Sequence, residues 1–259
     1  MKMAGPVFVL LHGAWHSPRC WNLLVSELNK AGYATETPAL PSTGSVPPTP
    51  DWAGDIDTIR STVSKLVVDQ DVVVVMHSFS GMTGGNALEG LDKESCRAKG
   101  LKGGVVRLVY LVAFLVPEGF QHSPPGTRDN MVPEMKTDLE KGTIIVLPED
   151  AKDMFYQDLD DETAVELAKD LRPHSFASFW GTTEHAAWRI IPTTYIVTLR
   201  DRPSTVAACR YLIDAAKASG LHKIDRVVEV EAGHSPFISK PELTAKTLIE
   251  EANRPGLSS

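Results

Sequence analysis

The chain has 259 residues, of which 26 are basic and 33 acidic, giving a formal net charge of −7 at pH 7. That balance excludes a nucleic-acid binder resting on bulk positive charge. With 42% hydrophobic and 23% charged residues, and with 19 glycines and 18 prolines, the chain is neither globally disordered nor collagen-like.

In chain order, the first signal is the apolar run 7–11, which leads straight into His12-Gly13. Lacking a small-residue cleavage site, it reads as a first strand rather than a secretion signal. Residues 18–31 carry Trp21, Leu24, Val25 and Leu28 at spacings of three and four. This stretch and the similar stripe in 52–68 predict amphipathic helices, joined by a proline-rich connection at 38–50. The runs 72–76, 105–114 and 194–199 have the continuous apolar, β-branched character of buried parallel strands. In 226–231, Val227, Val228 and Val230 stand among charges, which suits a strand near a sheet edge. Strands alternating with helices predict an α/β fold with a mostly parallel central sheet flanked by helices.

Residues 117–190 break the alternation before the last two strands. They are expected to form a helical lid inserted into one domain, 1–259, with an acidic helix-like stretch at 151–170. Phe155, Tyr156, Phe176, Trp180 and Trp188 of this segment, with Trp15 and His16 near the first strand, are candidates to line a substrate pocket. The competing reading for each is packing within the insert's own core. The longest apolar run, 108–116, falls far short of the ~20 residues a spanning helix needs. Three cysteines, Cys20, Cys96 and Cys209, make no disulfide framework and suggest a reducing, cytoplasmic setting. The C-terminal residues 256–259 carry no lipidation signal.

The chemistry concentrates in Met76-His77-Ser78-Phe79-Ser80-Gly81, where an apolar strand ends in small and polar residues before a helix. That is the setting of a nucleophile elbow, in which a tight strand-to-helix turn lifts Ser78 above the sheet. The usual flanking glycines are replaced by Ser80, which is small, and Met76, which is large. Taken alone, the stretch suits a helix-capping serine equally well. A serine nucleophile also needs a base and an acid to orient it, following in the order acid then histidine. Asp201 ends the 194–199 strand in a turn, and His234 follows the fifth strand in Gly233-His234-Ser235-Pro236. All three positions fall at carboxyl ends of strands, where catalytic groups gather. Glu118 is the alternative acid. The main-chain amides of Ala14 and Phe79 are assigned to the oxyanion hole.

The set His12-Gly13-Ala14-Trp15, His77-Ser78-Phe79-Ser80-Gly81, Asp201 and Gly233-His234 resembles the α/β-hydrolase fold. Within it the chain resembles small serine esterases of the salicylate methylesterase and hydroxynitrile lyase group and their fungal and bacterial relatives. The likeness covers nearly the whole chain, most clearly 6–116 and 190–250. It implies a Ser78-His234-Asp201 triad acting through an acyl-enzyme, with no cofactor. Hydroxynitrile lyases of this group carry a threonine where Ala14 stands, or a lysine shortly after the histidine. Here Ser235, Pro236 and Phe237 follow, so cyanohydrin cleavage is not expected. Serine rather than aspartate at position 78 disfavours dehalogenase and epoxide hydrolase chemistry.

No GxGxxG follows the first strand and no P-loop is present, so neither a dinucleotide fold nor a P-loop enzyme is expected. His12 and His16 lack the context of a metal motif, and no metal is expected. His77 reads as a packed or hydrogen-bonded neighbour of the nucleophile. His122, His174, His185 and His222 read as packing or surface residues, with His174 or His185 in reach of the pocket from the lid. The main expectation is cleavage of a carboxylic ester or lactone of a small apolar or aromatic compound. The alternatives are a cyclase, isomerase or lyase of natural-product metabolism, or a ligand-binding receptor on the same scaffold. No nucleic-acid or membrane partner is expected, and the oligomeric state is open, a homodimer included.

Overall fold

The apolar runs and amphipathic stretches alternate as strands and helices in a computed structural model that describes residues 5–254. Residues 256–259, read above for a lipidation signal, lie outside that range. β1 (Val7–Leu11) leads through α1 (Asn22–Lys30) to a two-residue strand, β2 (Thr35–Glu36), and through α2 (Ala53–Leu66) to β3 (Asp71–His77). α3 (Ser80–Ala87) and α4 (Lys93–Ala98) precede β4 (Gly104–Leu111). The insert follows, with β5 (Met135–Asp138), β6 (Thr143–Val146), α5 (Pro148–Phe155), α6 (Asp161–Ala168) and β7 (His174–Ser175). The chain closes with β8 (Thr193–Thr198), α7 (Val206–Ala218), β9 (Ile224–Val230), α8 (Pro236–Ser239) and α9 (Pro241–Ala252).

The central sheet has the order β2-β1-β3-β4-β8-β9, and every neighbouring pair is parallel. β1, β4 and β8 are buried at every position, as expected of strands covered by helices on both faces. β9 buries only its two ends and exposes Asp225, Val227 and Glu229 at the sheet edge, in line with its mixed sequence. From α2, Ile59 and Val63 pack into the core, as do Leu24 and Leu28 from α1. These are the residues on the periodic apolar stripes. Within the core, buried Arg107 of β4 forks onto Asp225 at 2.8 and 2.9 Å and reaches Glu251 at 3.1 Å. That pairing fastens α9 to the sheet.

β1 pairs with β2 on one side and β3 on the other, so the chain reverses direction across the sheet between them. In open parallel sheets such a switch leaves a crevice at the carboxyl ends of the two strands. Residues 12–16 and 78–81 leave the sheet there.

The insert contains the two helices α5 and α6, and also a three-stranded antiparallel sheet, β5-β6-β7, that the sequence did not disclose. Its strands have four, four and two residues, too short for an alternation to stand out. β6 buries Ile144 and leaves Ile145 partly exposed, so the pattern is real but spans few residues. Among the described residues, no helix is long and apolar enough to cross a membrane. Cys20, Cys96 and Cys209 are all unpaired.

Candidate active site

Ser78 follows the last residue of β3 with φ 54°, in the left-handed region that side chains other than glycine's rarely adopt. Three main-chain bonds hold it there: its N–H donates to Leu111 O at 3.3 Å, and its carbonyl accepts from Phe114 N–H at 3.2 Å and from Gly81 N–H at 3.1 Å. Ser80, standing where an elbow usually has glycine, uses its hydroxyl as a tie. Its Oγ accepts from His77 N–H at 2.9 Å and donates to Leu11 O at 2.9 Å, joining the ends of β3 and β1.

The large Met76 is accommodated from the opposite side. A Cβ on Gly84 of α3 would lie 2.6 Å from Met76 Sδ, so the missing side chain on the helix supplies the room that the strand lacks. A Cβ on Gly81 would meet main chain instead, 2.6 Å from Phe114 O and 2.7 Å from Phe114 N. Since a thioether rotates away and a backbone does not, Gly81→Ala should cost about 1–3 kcal/mol and Gly84→Ala clearly less. Urea midpoints check this, and equal losses would contradict the packing described.

Asp201 follows β8. Its Oδ1 accepts from Ser204 N–H at 2.8 Å, and its Oδ2 accepts from Thr198 Oγ1 at 3.2 Å and lies 2.7 Å from His234 Nδ1. Both Asp201 and His234 are buried. With Nδ1–H donated to the carboxylate, Nε2 is the basic nitrogen of the ring. The main chain of His234 is fixed from two directions. Its N–H donates to Gln157 Oε1 of the insert at 2.9 Å, and its carbonyl accepts from His77 Nε2 at 3.0 Å. The His77 and His234 rings lie 4.6 Å apart, which places His234 beside the residue that precedes Ser78. Among the described residues, Ser78 Oγ is not hydrogen-bonded to His234, a contact that often tightens only once substrate is bound.

The turn after β1 presses against the elbow: a Cβ on Gly13 would sit 3.0 Å from Ser78 Cβ. The amides of Ala14 and Phe79 have no acceptor among the described residues. With α3 beginning at Ser80, its positive end adds to this donor pair.

Five histidines are buried around this centre: His12, His16, His77, His122 and His174. Burial disfavours the charged ring, lowering His12 and His122 to about 4 and His16 and His174 to about 3, with His77 also held well below its ordinary value. Hydrogen bonds select the tautomers. Leu40 N–H donates to His12 Nε2 at 3.1 Å, so His12 Nδ1–H faces Gly13 O at 3.0 Å. His16 donates from Nδ1 to Ala14 O at 3.0 Å and accepts from Tyr156 OH at 3.2 Å.

These depressed values fix how stability depends on pH. An unfolded histidine takes up a proton below about 6.5, while each buried ring stays neutral until its own lower value. Each therefore removes about 1.4 kcal/mol per pH unit across that window. Asp55, raised by burial to about 6, acts in the opposite sense but is one group against five. Fluorescence-monitored urea titrations should show stability falling steeply from pH 6.5 to 4.5. Equal stability at pH 7 and pH 5 would mean that the rings are not held neutral.

Trp15, His16, Phe155 and Tyr156 are brought together near His234. Phe155 lies 5.9 Å from His234, 5.0 Å from His16 and 5.6 Å from Trp15, between ring centres. On the outer side of His16 and Tyr156 lies a cleft of about 220 Å³, lined also by Cys20, Leu23, Leu171 and Ile238. The structure does not bring Phe176, Trp180 or Trp188 into this group. Phe176 packs on Trp180 at 4.8 Å, Trp180 Nε1 donates to Thr127 O, and Trp188 Nε1 donates to Val116 O at 2.9 Å with the Arg189 guanidinium over its ring. The Trp180 indole N–H thus ties two parts of the insert together, and that of Trp188 ties the insert to Val116. The alternative acid, Glu118, is likewise engaged elsewhere, with Arg189 at 2.9 Å and Ala186 N–H at 3.2 Å.

A second aromatic group gathers around Phe79. The Phe79 side chain lies 5.0 Å from Phe179 and 4.8 Å from His174, while His122 lies 5.1 Å from Phe179 and 5.5 Å from Phe114. His174 does reach this region from the insert. His185 instead has its N–H on Asn86 Oδ1 at 2.9 Å. Among the described residues, no group of three or more His, Cys, Asp or Glu side chains is arranged to hold a metal ion.

The chain belongs to the α/β-hydrolase family, whose model matches residues 8–247. It is 32% identical over 253 residues to alpha/beta hydrolase nvfD of Aspergillus novofumigatus, covering 96% of this chain and 98% of that protein. It is 25% identical over 258 residues to norfluorocurarine synthase 2 of a Strychnos species, covering 94% of each. A solved structure of a polyneuridine aldehyde esterase mutant matches with a TM-score of 0.74 at 20% identity, covering 96% of this chain and 99% of that one. The resemblance drawn from the motifs therefore holds for the family and the fold, and the relatives include esterases and a synthase.

Proposed function

We propose that the protein is a serine esterase or lactonase acting on a small, apolar or aromatic carboxylic ester. The observation that carries the reading is the buried 2.7 Å pairing of Asp201 with His234, whose ring lies 4.6 Å from that of His77, the residue before a serine held at a left-handed φ. In this reading Ser78 Oγ attacks the ester carbonyl carbon as its proton passes to His234 Nε2. The oxyanion forms within reach of the Ala14 and Phe79 amides. Collapse breaks the bond to the leaving oxygen, which takes the proton from His234. Water then attacks the acyl-serine, giving its proton to the same nitrogen, and release of the acid restores Ser78. Asp201 stays ionised, holding the tautomer and stabilising the transient imidazolium. No step calls on a cofactor.

The insert 117–190 serves as the lid in this reading, since Gln157 and Phe155 reach His234 from it. Three unpaired cysteines support a cytoplasmic location. The synthase relative favours a second reading, cyclisation or isomerisation on the same residues. Turnover in oxygen-18 water decides between them. Hydrolysis places one heavy oxygen in the carboxylic acid, whereas an unlabelled product of unchanged mass would overturn the esterase reading.

A further inference from the structure

His122 lies outside the proposed proton-transfer machinery, yet its surroundings specify where its proton sits. Ser123 Oγ donates to Asp129 O at 2.5 Å, which commits the only hydroxyl hydrogen. His122 Nδ1, 2.9 Å from that oxygen, must then be the donor between them. The main chain is held as closely, with Ser123 N–H on Phe179 O at 3.1 Å and Asn130 Nδ2 on His122 O at 2.7 Å. Nε2 is left as a lone pair with no partner among the described residues. Unlike Nδ1 of His77, it is not sealed away from accessible space. The ring stands between Phe114 and Phe179, and Phe179 in turn packs on Phe79, the residue after the candidate nucleophile.

We propose that His122 Nε2 is a specificity determinant that accepts a hydrogen bond from a hydroxyl group on the acyl part of the substrate. This rests on the esterase reading and narrows its substrate class to acyl groups that are mainly apolar or aromatic but carry a hydroxyl. The assignment to the acyl side follows from position. The leaving oxygen must lie toward His234, which protonates it and near which Phe155, His16 and Tyr156 gather, while His122 belongs to the separate group of Phe114, Phe179 and Phe79. Burial keeps the ring neutral, so it offers an acceptor and no charge. A site that pairs with a substrate hydroxyl discriminates strongly against the analogue lacking it, because the protein group is then left unpaired.

The test compares methyl phenylacetate with its 3- and 4-hydroxy and 3- and 4-methoxy derivatives. Binding is measured on Ser78→Ala protein and kcat/KM on the otherwise wild-type enzyme. One hydroxy isomer is expected to be preferred at least about tenfold over both its unsubstituted and its methoxy partner. His122→Phe should bring that ratio to about one. Ser123→Ala, which frees the ring proton to move to Nε2, should shift preference from hydroxy toward methoxy, a reversal that a merely structural role would not produce. Absence of a hydroxyl preference, a preference that survives His122→Phe, or no binding of any of the compounds would overturn the proposal. A His122-dependent binding preference without hydrolysis would instead remove the esterase reading and leave this one standing.

Discussion

Replacing Ser78 by alanine should lower kcat about a millionfold, the size of effect seen when a serine nucleophile acting as part of a triad is removed. The protein should remain folded, since the Ser78 main-chain bonds to Leu111 and Phe114 do not involve the hydroxyl. A companion variant probes the turn itself. A non-glycine residue at φ 54° stores about 1–3 kcal/mol of strain, which outweighs the roughly 0.4–1 kcal/mol that glycine loses through the unfolded chain. Ser78→Gly should therefore be as inactive as Ser78→Ala but melt at a higher temperature. Substantial activity in both variants would remove Ser78 from the chemistry.

Asp201→Asn should reduce kcat about ten-thousandfold, equivalent to roughly 5 kcal/mol of lost transition-state stabilisation. The geometry supplies the reason. Asp201 accepts on both oxygens, from Ser204 N–H and from the His234 ring. Asparagine has one oxygen, and placing it against Ser204 N–H turns its amide N–H toward Nδ1. His234 must then accept at Nδ1 and carry its proton on Nε2, where it no longer serves as a base. Glu118 cannot take over, being bound to Arg189 and the Ala186 amide. Pre-steady-state acylation rates read the effect directly, and near-wild-type acylation by Asp201→Asn would place the orienting acid elsewhere.

The central sheet was legible because β1, β3, β4 and β8 are buried on both faces, which leaves continuous apolar runs that no surface element mimics. The positions of Ser78, Asp201 and His234 at strand ends followed from the same pattern. Met76 looked like a defect in the elbow because its compensation, Gly84, lies eight residues further on and acts across a helix-strand contact. The histidines were harder. His77 could be placed next to Ser78, and His16 and His174 near the pocket, but His122 has no motif around it, and only folding gathers these four from positions 16 to 174. The insert defeated pattern reading for another reason. Phe176, Trp180 and Trp188 are as aromatic as Phe155 and Tyr156, and nothing in residue type separates a ring that anchors the insert from one that adjoins His234. The short strands β5, β6 and β7 depend on pairing with each other and carry too little periodicity to be seen singly.

The claim beneath these expectations is that Asp201 and His234 make the Ser78 hydroxyl nucleophilic near neutral pH. Treating the folded protein with a fluorophosphonate and measuring its intact mass tests that directly. One adduct is expected, mapping to Ser78, absent from Ser78→Ala and formed far more slowly by His234→Ala. Folded protein that stays unlabelled, or that is labelled at another residue, would contradict it and favour a binding scaffold over an enzyme.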